Sequence, residues 1–137
     1  MLAGRCSCDT VGYSVEDKFR YAGYCHCSQC RASSGAAFTA FAGIEKDKVE
    51  VTQGAEHITI FEKNPDDLVS FCRRCGSVLF SVVRDGRFAH VTMGTLVDDP
   101  AIRPMFHIFI GSKAPWHEIA DALPQYVGFP PAQALKM

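Results

Sequence analysis

Residues 25 to 30 read Cys25, His26, Cys27, Ser28, Gln29, Cys30, three thiols within six positions, and no other stretch restricts the chain so strongly. Three soft ligands this close in sequence can wrap one zinc ion. Three protein ligands also leave the fourth tetrahedral position to water or a substrate, as catalytic zinc sites require. The chain holds seven cysteines among 137 residues. A disulfide framework would strand one of an odd number and would normally accompany a secretion signal, whereas tight C-x-C and C-x-x-C spacings point to metal. Redox-active or merely buried thiols are the competing reading.

The cysteines fall as a pair (Cys6, Cys8), the triplet, and a second pair (Cys72, Cys75). A structural zinc takes four thiolates, which two pairs supply, and the triplet then stands alone as a three-ligand set. Counting alone also allows Cys6 and Cys8 with Cys25 and Cys27, leaving Cys30 with Cys72 and Cys75. The locality of the triplet favours the first division. Gly76 after Cys72–Cys75 tolerates the backbone angles of a tight ligand turn, and Arg73 or Arg74 is placed to offset thiolate charge. A closed triplet would need His26 or a distant His57, His90, His107 or His117 as fourth ligand. In an extended C-x-C, His26 points away from its two neighbours, so it is read as a supporting or surface group.

Length and a 47% hydrophobic composition fit one domain over residues 1–137. Charge is balanced, 14 basic against 15 acidic residues, with no basic run to meet phosphates, which argues against nucleic acid as a partner. Met1 to Gly4 lacks a basic segment followed by an apolar one, and no apolar run approaches the roughly 20 residues that span a bilayer. A soluble, cytoplasmic protein without membrane contact is expected.

Alternating residues predict strands throughout. A hairpin over 2–16 turns at Asp9 and Thr10, a strand over 19–25 enters the cysteine triplet, and 28–34 suits a short helical turn ended by Gly35. Residues 36–44 predict a strand with Phe38 and Phe41 in the core. Further strands are expected at 47–53, 57–62 and 68–72, then a hairpin of 78–83 and 88–93 around Asp85 and Gly86. A strand over 106–110, a short helix over 115–123 starting at Pro115, and an irregular tail complete the expectation.

The run from Cys25 through Cys30, with Arg31, Ser34, Gly35 and Phe38, resembles the central motif of the glutathione-dependent formaldehyde-activating (centromere protein V type) family. Gly4 with Cys6 and Cys8, Phe71 to Leu79, Gly94 to Pro100, and His107 to Pro124 are similar as well. The resemblance implies a mainly β fold of the β-tent kind with two zinc ions, a structural one on Cys6, Cys8, Cys72 and Cys75 and a reactive one on Cys25, Cys27 and Cys30. It also implies addition of glutathione to formaldehyde to give S-hydroxymethylglutathione, a carbon–sulfur lyase run in reverse. One departure is Asp9, where the family usually has Gly, which bears on that turn and not on the ligands.

On this reading a thiol cosubstrate, glutathione or another, takes the open position beside a small aldehyde. Arg31 is the candidate for its carboxylate, against the plainer reading of a solvated charge. Phe38, Phe41 and Trp116 either line a pocket or fill the core. His107 is read as a packed, hydrogen-bonded residue and Asp121 as a local cap or partner. The alternatives are a non-catalytic zinc-stabilised binding module, which the lack of a basic patch disfavours, and a metal or redox buffer.

Overall fold

The computed structural model describes residues 1–135 and is mainly β, with two sheets and one α-helix. The strands are β1 (Leu2–Arg5), β2 (Gly12–Val15), β3 (Tyr21–Cys25), β4 (Thr39–Glu45), β5 (Val49–Gln53), β6 (Ile58–Asn64), β7 (Asp67–Cys72), β8 (Val78–Val83), β9 (Phe88–Thr92) and β10 (His107–Ile108). Strands β1, β2 and β5 form one antiparallel sheet. The other runs β10-β3-β4-β9-β8-β7-β6, antiparallel except where β10 lies parallel to β3. Among the described residues no helix is long and apolar enough to cross a membrane.

Side chains that alternate along these strands fill two cores. Leu2, Val11, Tyr13, Val15, Ile44, Leu79, Phe80 and Val91 pack in the first, which encloses Cys6 and Cys72. Tyr21, Phe41, Phe106 and Ile108 pack in the second, which encloses Cys25. Full burial of a large apolar side chain contributes about 1.5–3 kcal/mol, so each thiol cluster is anchored in its own apolar bed.

The expected turns form as their chemistry directs. Asp85 and Gly86 take φ of 56° and 82°, and the Arg87 N–H donates to the Arg84 carbonyl, but Arg84 is left-handed too (φ 53°) and the ladder ends at Val83 with Phe88, so the connection runs over residues 84–87. Asp9 adopts φ 64°, the conformation a Gly would take, which Asp tolerates better than most residues. The turn therefore survives the departure from the family pattern.

Three expectations are corrected. The strand after the helix begins at Thr39, and Phe38 is only half-buried, outside both cores. The strand expected over 106–110 shortens to two residues because Phe109 turns left-handed (φ 57°) and a 3₁₀ turn follows at Ile110–Ser112. No helix forms over 115–123. Nine residues are too few for helical propensity to hold alone, and here the Lys113 ammonium takes the carbonyls of Ala114 and His117 while Asp121 engages His107. The tail is irregular as expected, tied to β10 by the His107 N–H on the Pro124 carbonyl and the Tyr126 N–H on the His107 carbonyl, with a 3₁₀ turn at Ala132–Leu135.

Candidate metal centres

The first thiol group forms where the loop after β1 meets the turn after β7. The Cys6 N–H donates to the Val11 carbonyl, the Val11 N–H to Cys6 Sγ (3.2 Å), and the Gly76 N–H to the Cys72 carbonyl, with Gly76 at φ 82°. These turns bring Cys6, Cys8, Cys72 and Cys75 within 4.8 Å of one another. Cys6 and Cys8 sulfurs stand 3.7 Å apart, those of Cys8 and Cys72 3.9 Å. A tetrahedron with metal–sulfur bonds of about 2.3 Å has an edge of about 3.8 Å, so the set fits zinc, and the spacing far exceeds the roughly 2 Å of a disulfide. The Ser77 hydroxyl and N–H hold the Cys75 thiol down to about 5, and Thr10 lowers Cys8. Arg73, one of the two arginines expected to balance this charge, donates to the Glu56 carbonyl.

The second group forms at the end of β3. Cys27 is extended (φ −65°, ψ 154°) and caps α1 (Ser28–Ser34), its Sγ accepting the Cys30 N–H at 3.3 Å, and Gly35 ends the helix at φ 67°. One helical turn thereby carries Cys30 back to Cys25 and Cys27, all three sulfurs within 4.8 Å. Hydrogen bonds from Cys25 and then Cys30 hold the Cys27 thiol well below its ordinary value, and the same contact pushes Cys25 up. Three soft donors this close fit a zinc ion. Among the described residues no further His, Cys, Asp or Glu atom joins the group.

Lys63, near the end of β6, is a residue that the alternating pattern gave no reason to single out. Its ammonium lies 3.5 Å from Asp67, both mostly buried. Burial opposes the charge, yet Cys30, Cys27 and Asp67 outweigh it, and the Lys63 pKa is raised. Desolvation in turn raises Asp67, against the opposing charge of Lys63. Arg31 is half-buried at the end of α1, its Nε donating to the Ser112 carbonyl at 3.1 Å.

Period-two alternation sends the neighbours of Cys25 to the reverse face of β3. There Tyr24, Phe38, His107, His117 and Asp121 line a cleft of about 460 Å³. Phe38 thus lines a cavity, Phe41 is core, and Trp116 is 71% exposed. His26 is wholly buried rather than on the surface, its Nε2 2.8 Å from His107 Nδ1. Burial, then His107, lowers the His26 pKa to about 4, so the ring is neutral at neutral pH. His107 is packed and hydrogen-bonded as expected, its Nε2 3.0 Å from both Asp121 oxygens.

Comparison with known proteins gives a consistent picture. The family model described as glutathione-dependent formaldehyde-activating enzyme matches residues 1–112. A Halomonas elongata protein, provisionally named as such an enzyme, is 31% identical over 87% of this chain and 81% of its own length. A Penicillium rubens protein with the same provisional name is 26% identical over 93% of this chain, which spans 59% of that relative. A crystal structure of a Rhodobacter sphaeroides protein superposes with a TM-score of 0.61 at 26% identity, covering 72% of this chain and 91% of the other.

Proposed function

The chain belongs to the glutathione-dependent formaldehyde-activating family, and from that premise we propose that it joins a thiol, glutathione first, to a small aldehyde at Cys25, Cys27 and Cys30. The observation that carries this reading is a three-thiol group with no fourth protein donor among the described residues. Cys6, Cys8, Cys72 and Cys75 form the closed structural counterpart.

Cys25, Cys27 and Cys30 would hold a zinc ion, which when bound would supply the Lewis acidity that makes a thiol more acidic. The chain's own residues do the rest. Cys25 is fixed by β3, Cys27 as the N-cap of α1 and Cys30 within α1, so the donor set is organised before any reactant arrives. Lys63 balances part of the negative charge that three thiolates would bring. Arg31, adjacent to Cys30, is assigned to the cosubstrate carboxylate, its guanidinium oriented by the Nε bond to Ser112.

The chemistry balances without a redox partner: the sulfur–carbon bond forms as the carbonyl π bond breaks, and the thiol proton ends on the former carbonyl oxygen. Holding both reactants together supplies several kcal/mol of the barrier, consistent with a site lacking an obvious acid or base. In reverse this is carbon–sulfur lyase chemistry. Magnetisation-exchange NMR of glutathione with formaldehyde tests it. Faster exchange with the protein than without is the expected result; unchanged exchange and no glutathione binding would favour a non-catalytic zinc-stabilised module.

A further inference from the structure

Resting on the reading that Cys25, Cys27 and Cys30 hold a metal, we propose that His26, His107 and Asp121 form a positioning chain that locks this ligand segment from behind. Through that chain, Asp121 governs how firmly the three-thiol site keeps its ion. His26 sits between two ligand positions and is held by both its backbone and its ring. Its N–H donates to the Ile108 carbonyl and its Nε2 meets His107 Nδ1 at 2.8 Å. His107 is tied in turn, through its Nε2 to both Asp121 oxygens and through its backbone to Pro124 and Tyr126. Asp121 itself is oriented by the Leu123 N–H on Oδ1 at 3.0 Å.

Proton inventory limits this chain: an ionised Asp121 only accepts, so His107 Nε2 carries a hydrogen toward it, and the 2.8 Å contact between His26 Nε2 and His107 Nδ1 takes a single hydrogen. His26 Nδ1 is left buried with no partner, which makes the ring a poor source of stability. What the arrangement secures is the place of the residue separating Cys25 from Cys27. In known metal sites an outer carboxylate that fixes a ligating ring changes metal affinity on the order of 10- to 100-fold when removed; here the rings hold the segment between two ligands and not the ion itself.

The test uses the full chain loaded with cobalt(II), whose thiolate absorption reports each site, and follows transfer of the metal to a chromophoric chelator. The phase missing in Cys27→Ser identifies the three-thiol site. Asp121 is 43% exposed, so its replacement leaves the core intact. Asp121→Ala is expected to speed the three-thiol phase roughly 10-fold, with the four-thiol phase unchanged and Asp121→Glu restoring the slow rate. Two bound equivalents with both phases unchanged, or both accelerated alike, overturn the positioning role alone. A wild-type chain that takes up only one equivalent overturns it together with the reading beneath it.

Discussion

At Cys27 one sulfur carries two tasks, accepting the Cys30 N–H as the cap of α1 and lying in the three-thiol group. Serine is among the best helix caps, so Cys27→Ser keeps the helix start and removes a ligand. It should abolish accelerated glutathione–formaldehyde exchange while a thermal melt barely moves; a large drop in melting temperature would show that the thiol is structural. Arg31→Ala should raise KM for glutathione several-fold with little change in kcat, and an unchanged KM would remove Arg31 from the substrate site. His90 gives a pH signature. Burial lowers its pKa to about 4, and Tyr21 Oη stands 2.7 Å from its Nε2. Unfolded, it binds a proton near 6.5, so between about 6.5 and 4 the unfolded chain holds more protons and stability falls as pH drops. The limit is roughly 3 kcal/mol. His26 acts in the same window, so the denaturation midpoint of His90→Gln should lose about half the slope of the wild type. At this scale the thiols were readable because metal ligation demands a spacing, while Lys63 and Asp121 reach the site by folding and carry no spacing signal.

Strand β3 organises both faces of the site, and its alternation decides which side chain goes where. Tyr21 and Cys25 face the second core with Phe106, while Tyr24 stacks on His107 across the reverse face at 5.0 Å. Gly23 lies where an ideal Cβ would come within 2.4 Å of the Phe106 ring. Gly23→Ala should therefore cost about 1–3 kcal/mol by overpacking, read as a lower denaturant midpoint; an unchanged midpoint would mean that Phe106 yields freely. Elements whose limits are local were legible, as with α1 between its Cys27 cap and Gly35. Elements whose limits are tertiary were not. The strand at His107 stops because the Phe109 N–H reaches the Gly128 carbonyl, and no pattern around residue 109 announces a partner so far along the chain. The missing helix over 115–123 has the same origin, its polar groups being claimed by Lys113 and His107.

Across the whole molecule the two thiol groups divide the labour by position. The four-thiol group joins the sheet of β1, β2 and β5 to the end of β7, where the Ser7 N–H also donates to the Ser77 hydroxyl. The three-thiol group closes within one strand and one helix and bridges no distant segments through its ligands. Cys75→Ser should accordingly unfold part of the protein, because metal binding there is folding energy, which far-ultraviolet circular dichroism would register; a native spectrum would contradict the structural role. The division into four and three is the claim on which fold and function both depend. Zinc content per chain tests it most directly, measured on the wild type and on Cys27→Ser. The account expects two zinc ions in the wild type and one in the folded variant. One zinc in the wild type, or two still held by Cys27→Ser, would contradict it.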